Sequence, residues 1–208
     1  MKLIVFGATG SVGIHLVRQA LEQGYSVTAF TRSPEKLASI QHENLYIFKG
    51  DVLNSKDVEN AIRHVDCVLC ALGDGKTGKV RAAGTRIIIE AMQKAGIKRL
   101  ICQTTLGLGD SYGNLNFIWK YIMFGVILKK AFIDHQLQEE YLFHSNLDYI
   151  IVRPGAFTDG AVTNNYKIGF TGQYKKLKLA ISRADVADFM IQQIISNHNI
   201  KKAVSISN

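Results

Sequence analysis

The chain has 208 residues, 47% of them hydrophobic, and its 25 Lys and Arg exceed its 17 Asp and Glu, giving a formal charge of +8 at pH 7. Its length predicts a single domain with a full core, spanning residues 1–208. Three cysteines exclude a disulfide framework and favour the cytoplasm. One Lys and four apolar residues before Gly7 are too few for a secretory signal, so we expect a cytoplasmic protein.

The excess positive charge favours anionic partners. No RNA- or DNA-binding signature accompanies it, so we predict solvated lysines and no nucleic-acid partner. The basic groups are short, at Lys129-Lys130, Lys175-Lys176-Lys178 and Lys201-Lys202. Cys67 and Cys70 form a Cys-x-x-Cys inside an apolar strand, where residues three apart point to opposite faces. We therefore expect no metal site and no dithiol there.

Strand and helix patterns alternate along the chain. The predicted strands are Lys2–Phe6, Ser26–Thr31, Asn44–Lys49, Cys67–Ala71, Arg99–Gln103 and Asp148–Val152, with a later pair at Tyr166–Phe170 and Ala203–Ile206. The predicted helices are Ser11–Gln23, Pro34–Ile40, Ser55–His64, Lys79–Ala95, Phe132–His144 and Arg183–Ser196. Nearly continuous apolar strands between helices predict an α/β fold, a doubly wound parallel (Rossmann) sheet with a small extension on the substrate side.

The stretch Asn114–Lys130 interrupts this rhythm and is apolar almost throughout. Its run Leu115–Leu128 is shorter than the roughly 20 residues that a membrane-spanning helix needs. Three interpretations stay open: a core helix, a lid over a site at the carboxyl edge of the sheet, or a helix that contacts a membrane surface.

Gly7, Gly10 and Gly13 close the first predicted strand and open the first helix. In dinucleotide-binding folds such glycines allow a tight turn, the approach of a pyrophosphate and close packing of the helix. The phosphates would then meet the helix N-terminus at Ser11–Gly13. The alternative is a structural elbow without a ligand, since the spacing is GxxGxxG and not GxGxxG.

The second strand ends in Thr31-Arg32-Ser33, without the acidic residue that binds the ribose 2′-hydroxyl of NAD. A guanidinium pairs well with a 2′-phosphate, so Arg32 and Ser33 favour NADPH over NADH. Ser33 also precedes Pro34, so its side chain is equally suited to capping the next helix.

Five motifs carry a family resemblance: FGATGSVG at 6–13, TRSP at 31–34, GDV at 50–52, ALG at 71–73 and IVRPGAFTDG at 151–160. With them the chain resembles an atypical short-chain dehydrogenase/reductase with an NAD(P)-binding Rossmann domain. Within that group it is most similar to the flavin reductase / biliverdin-IXβ reductase family. The likeness extends along nearly the whole chain.

The resemblance implies the following roles. The pyrophosphate would lie on Gly7, Thr9, Gly10, Ser11, Val12 and Gly13, and the 2′-phosphate on Arg32 and Ser33. Asp51 and Val52 would flank the adenine, with the Asp51 carboxylate accepting from its amino group. The nicotinamide half would contact Leu72, Gly73, Thr104, His135, Pro154 and Gly155, with Thr105 as the catalytic hydroxyl. His135 is equally consistent with an ordinary polar helix residue.

Two departures concern the substrate. Gly155 stands where the family can hold a His, and Gln103 stands where the family has a Cys. A Tyr174-x-x-x-Lys178 motif follows the sixth predicted strand, not the fifth, so we interpret it as a coincidence. Asp74–Thr77 resembles the end of a phosphate-binding P-loop, but Cys70 replaces the required glycine.

The missing Tyr–Lys pair favours an electron acceptor that needs no protein acid, such as a flavin (FMN, FAD or riboflavin), a bilin or a quinone. We therefore predict an NADPH-dependent reductase of flavin or a bilin-type tetrapyrrole. The alternative is a non-enzymatic NADP-binding redox sensor or assembly factor of the NmrA-like kind. A sugar-nucleotide epimerase is disfavoured by the same missing pair.

Overall fold

The computed structural model describes residues 1–170, 172, 174 and 177–208. Its strands are β1 Lys2–Phe6, β2 Ser26–Thr31, β3 Leu45–Lys49, β4 Cys67–Cys70, β5 Arg99–Gln103, β6 Asp148–Pro154, β7 Ala156–Thr158, β8 Lys167–Ile168, β9 Ala180–Ser182 and β10 Lys202–Ser207. Its α-helices are α1 Gly13–Glu22, α2 Ser55–Ala61, α3 Arg81–Ala95, α4 Lys129–Phe143 and α5 Arg183–Gln192. Two 3₁₀ turns, Pro34–Leu37 and Gly109–Asn114, and a π-helix, Ile118–Ile127, complete these elements.

The main sheet has eight strands in the order β3-β2-β1-β4-β5-β6-β10-β8, and only the β10–β8 pair is antiparallel. Helices α1 and α5 contribute to a hydrophobic core on one face, and α2, α3 and α4 to a core on the other. The predicted doubly wound α/β fold is confirmed. Because the strand order reverses between β1 and β4, the carboxyl ends of these strands border a crevice where ligands bind in such sheets. Cys67 and Cys70 lie in opposite cores, as predicted.

Several predicted boundaries are wrong. Helix α2 ends at Ala61, before the positive φ (62°) of His64, and α5 ends at Gln192 instead of Ser196. The segment predicted as the helix Pro34–Ile40 is a single 3₁₀ turn. A second, two-stranded sheet pairs β7 with β9 and was not predicted, because strands of three residues are too short to show an alternating pattern.

The apolar stretch after β5 is not a core helix. None of the residues of the π-helix Ile118–Ile127 is buried, which excludes that interpretation. Bonds from residue i to i+5 define this helix, and the same spacing closes it where the Leu128 N–H donates to the Met123 carbonyl at 2.6 Å. No helix of the described residues is long and apolar enough to cross a bilayer.

Candidate functional site

A cavity of about 720 Å³ lies at the carboxyl edge of the sheet, and it is of the size that small-molecule sites commonly have. Of the predicted site residues, Gly13, Ser33 and Asp51 do not line it. The cavity brings together the others: Gly7, Thr9, Gly10, Ser11, Val12, Arg32, Val52, Leu72, Gly73, Thr104, Thr105, His135, Pro154 and Gly155.

The turn after β1 is built around two glycines. Gly7 has φ +81°, and a Cβ there would collide with the backbone carbonyl of Ala71. The Gly10 N–H donates to the Gly7 carbonyl at 2.8 Å, which closes the turn. Backbone without side chains therefore faces the cavity at Gly7 and Gly10, as a bound pyrophosphate requires.

Gly13 has a structural role beside this turn. A Cβ on Gly13 would collide with the Gly7 carbonyl, so only glycine lets α1 begin directly against the loop. The N-terminus of α1 has no capping side chain and no acidic residue in its first turn. Its positive end, beside the cavity-lining Ser11 and Val12, therefore suits an anion.

The end of β2 presents positive charge to the cavity. The Thr31 hydroxyl lies 3.2 Å from the Thr9 hydroxyl and accepts the Ser33 N–H at 3.0 Å, which shapes the turn that carries Arg32. Ser33 makes no side-chain capping bond. Arg32 is exposed, and within the described part of the chain it has no ion-pair partner. Lys36 also lines the cavity from the following 3₁₀ turn, a second cation that the sequence analysis missed.

Asp51, the predicted adenine contact, does not line the cavity. Its carboxylate accepts the Leu53 N–H at 3.0 Å and so closes a local turn. The cavity wall here consists of its neighbours Gly50 and Val52 and of the Phe30 ring. This end of the cavity is thus an apolar slot, which suits the flat face of an adenine.

The two threonines after β5 differ in their hydroxyl partners. Thr104 is 2% exposed and its hydroxyl donates to Glu139 Oε1 at 2.7 Å, while the guanidinium of Arg153 donates to both oxygens of that carboxylate at 2.9 and 2.6 Å. The Thr105 hydroxyl has only a 3.3 Å contact with the Leu106 carbonyl. Thr105 is therefore the hydroxyl that can turn to a ligand, whereas Thr104 belongs to a buried ion-pair cluster.

His135, on α4, lines the cavity and is buried. Burial, together with the nearby positive charge of Arg81, lowers the pKa of His135 to about 3. The ring is therefore neutral at pH 7. Its Nδ1 lies 2.9 Å from Gln138 Oε1, and the Gln138 amide nitrogen donates to Thr85. The Nδ1–H thus donates to Gln138, and Nε2 remains an acceptor for a ligand hydroxyl or amide.

Arg81 is a buried cavity residue that the sequence analysis missed. It is paired with Asp74, and its Nη2 donates to the Gly75 carbonyl at 2.9 Å. Asp134 accepts the N–H groups of Arg81 and Ala82, each at 3.1 Å, and so caps α3. The stretch that resembled a P-loop is thus held by a structural ion pair.

Gln103, at the end of β5, brings an unpaired amide oxygen to the cavity. It is 7% exposed, and its buried Oε1 has no hydrogen-bond partner among the described residues. A buried amide oxygen left unpaired is costly, so this atom suits an N–H or O–H of a ligand. The sequence signal that could have identified Gln103 as a cavity residue is a polar side chain at the end of an apolar strand.

No described residue supplies an acid beside the substrate end of the cavity. A Cβ at Gly155 would lie 2.8 Å from the backbone of Leu179, so the position tolerates no side chain. Tyr174 and Lys178 do not line the cavity. Among the residues described, no cluster of His, Cys, Asp or Glu could hold a metal ion.

The far wall of the cavity is apolar and aromatic. Trp119 and Phe124 of the π-helix pack with their rings 5.4 Å apart, and Phe124 stacks on Phe132 at 4.4 Å. The remaining wall is formed by Leu115, Leu128, Phe157 and Leu179. The stretch Asn114–Lys130 therefore covers one side of the cavity, as the lid interpretation of the sequence expects.

Several known proteins have sequences similar to this chain. Photosystem II assembly factor Ycf39 of Guillardia theta is 26% identical over 99% of this chain, which spans only 64% of that protein's length. UPF0659 protein YMR090W of Saccharomyces cerevisiae is 27% identical, and the match covers the whole chain and 93% of the yeast protein.

Two solved structures are similar to this chain in both fold and sequence. The oxidoreductase ylbE of Lactococcus lactis superposes with a TM-score of 0.84 at 27% identity, covering 100% of this chain and 91% of that one. ChuY, an anaerobillin reductase of Escherichia coli O157:H7, superposes with a TM-score of 0.84 at 27% identity, covering 100% and 97%. The predicted resemblance to an oxidoreductase with a Rossmann domain is confirmed.

The family model described as NAD(P)H-binding matches residues 7–197, from the first glycine of the turn to beyond α5. Its match spans both the glycine turn after β1 and the far wall of the cavity. With the Rossmann sheet, the glycine turn after β1 and these oxidoreductase neighbours, the chain belongs to the NAD(P)H-binding family.

Proposed function

We propose that the protein is an NADPH-dependent reductase that transfers a hydride to a flavin or a bilin-type tetrapyrrole. The observation that carries the proposal is one continuous cavity, with a basic, glycine-lined end at Gly7–Val12 and Arg32 and an aromatic end at Trp119 and Phe124. A nucleotide with a 2′-phosphate suits the first end, and a flat conjugated acceptor suits the second.

The residues would divide the work as follows. NADPH, when bound, supplies the hydride. Arg32 and Lys36 would hold the 2′-phosphate, and the N-terminus of α1 would hold the pyrophosphate. The neutral His135 would accept a hydrogen bond from the cofactor, and Thr105 would orient the nicotinamide half against the acceptor. The aromatic wall would exclude water from the reacting face.

The missing acid favours acceptors that are good electron sinks. With no side chain possible at Gly155 and a neutral His135, the described cavity residues offer no carboxylic acid and no imidazolium to protonate an alkoxide at pH 7. A flavin, a bilin or a quinone accepts a hydride without such an acid, because its conjugated system takes the charge and solvent supplies the proton. The name of the neighbour ChuY, an anaerobillin reductase, supports the bilin class.

A second function is favoured by the curated relatives. Ycf39 is named an assembly factor, which supports an NADP-binding protein that acts by association and not by turnover. A steady-state assay of NADPH oxidation distinguishes the two functions, with riboflavin, FMN, biliverdin and menadione as electron acceptors. Turnover with flavin or biliverdin supports the reductase. Tight NADPH binding without turnover of any acceptor contradicts it and favours the second function.

A further inference from the structure

The outward side of the π-helix is an exposed apolar surface. Its residues are exposed by between 43% and 73%, although they are large and hydrophobic. We call this surface the outer lid face; its members are Phe117, Ile118, Tyr121, Ile122, Val126 and Ile127. An exposed patch of this kind on a folded domain marks an interaction surface.

The opposite side of the same helix is already used. Trp119 and Phe124 line the cavity, while Phe117 and Tyr121 pack against each other on the outside with their rings 4.8 Å apart. The helix is thus apolar on both sides, and packing within the protein accounts for one side only.

Positive charge borders the outer lid face and no negative charge lies within it. Residues 111–133 contain Lys120, Lys129 and Lys130 and no Asp or Glu. Lys129 and Lys130 are exposed at the end of the helix. A Cβ at Gly78 would collide with the Lys130 carbonyl, so the loop that carries the exposed Lys79 packs beside them.

We propose that the outer lid face docks on an anionic lipid surface. Exposed Phe and Tyr rings with adjoining lysines are the combination that binds the interface of a bilayer, with the rings at the acyl boundary and the lysines at the headgroups. A second copy of the chain fits less well, because a twofold contact would bring the lysines of both copies together. The chain would lie on the membrane, with the cavity one helix away from it.

The test is co-sedimentation of the full chain with vesicles of phosphatidylcholine alone or with about 30% phosphatidylglycerol, whose anionic headgroups give the vesicle a negative surface potential. We expect binding to the anionic vesicles only. Replacing both lysines (K129Q with K130Q) should weaken that binding by about fivefold for each lysine. The matched control is K201Q with K202Q, an exposed lysine pair elsewhere, which should bind as the wild type does.

The apolar contribution is tested separately. F117S with V126S should lower vesicle affinity at least about tenfold, whereas I195S, at a side chain that is 73% exposed like Val126, should not. Unchanged NADPH affinity shows that each variant is folded, since none of these residues lines the cavity. Failure to bind anionic vesicles overturns the proposal, as does equal weakening by K201Q with K202Q. The proposal is also overturned if the wild-type chain self-associates and binds no vesicles, and if F117S with V126S makes it monomeric. That result would assign the outer lid face to contact between copies of the chain.

Discussion

The Nδ1 atom of His135 lies 2.9 Å from the Oε1 atom of Gln138, one turn further along α4. Gln138 is fully buried and its amide donates to Thr85 at 2.9 Å and to the Cys102 thiol at 3.3 Å. This chain of bonds fixes the orientation of the imidazole at the cavity wall. Burial keeps the ring neutral and so makes the folded state sensitive to acid, because the buried ring resists protonation.

The first prediction concerns acid stability. Because the folded-state pKa of His135 is about 3 and that of an unfolded histidine about 6.5, the unfolded chain binds the extra proton first as the pH falls. Stability from this group is present above about pH 6.5 and is lost between there and about pH 3. From pH 7 to pH 5 the loss should be about 2 kcal/mol of the free energy of unfolding.

Urea denaturation without cofactor, at both pH values, measures this loss. H135Q should show a pH-dependent loss that is smaller by about 2 kcal/mol. H198Q, at an exposed histidine, serves as the control and should lose as much as the wild type. An unchanged pH dependence in H135Q would show that the ring is not held neutral in the folded state.

The second prediction concerns cofactor choice. R32A should weaken NADPH about tenfold to 100-fold and leave NADH nearly unchanged, because only NADPH carries the phosphate that the guanidinium would bind. K36A should act in the same direction more weakly, since an ammonium makes no bidentate contact. R63A, at an exposed arginine outside the cavity, is the control. Titration of both cofactors decides the matter, and equal losses for both would contradict the assignment.

The sequence predicted the sheet and the glycine turn after β1 because both follow from local sequence patterns. Alternating apolar strands and helices determine the doubly wound order, and the spacing of Gly7, Gly10 and Gly13 determines the turn. The cavity wall could not be predicted as well, since it depends on contacts between distant segments. The pair of Glu139 with Arg153, which engages the Thr104 hydroxyl, joins a helix to a neighbouring strand.

The stretch after β5 shows the limit of composition. An apolar run has the same composition whether it enters a core or covers a cavity, and only the packing of Trp119 and Phe124 decides between them. Lys36 was missed for a related reason: a lysine in a turn is usually solvated, and its position beside Arg32 follows from the 3₁₀ geometry.

The third prediction concerns the unpaired amide of Gln103. Q103M keeps the size of the side chain and removes a buried oxygen without a partner, so the protein without cofactor should gain about 1 kcal/mol in its free energy of unfolding. If the amide bonds a ligand, the same change should lower kcat/KM for the acceptor or the affinity for NADPH about tenfold. Urea denaturation and steady-state kinetics measure the two effects. Lower stability with unchanged kinetics would assign Gln103 a structural role.

The fourth prediction separates the two adjacent threonines. T105V should lower the rate of flavin or biliverdin reduction about tenfold with little change in stability, since the Thr105 hydroxyl has only a 3.3 Å contact within the protein. T104V should instead cost about 1.5–3 kcal/mol of stability, because it removes the bond to the Glu139 carboxylate. Y174F, outside the cavity, should leave the rate within about twofold. Steady-state rates and urea denaturation of the three variants test whether Thr105 acts on the rate and Thr104 on stability. Loss of activity in Y174F would favour the Tyr–Lys mechanism over catalysis by positioning.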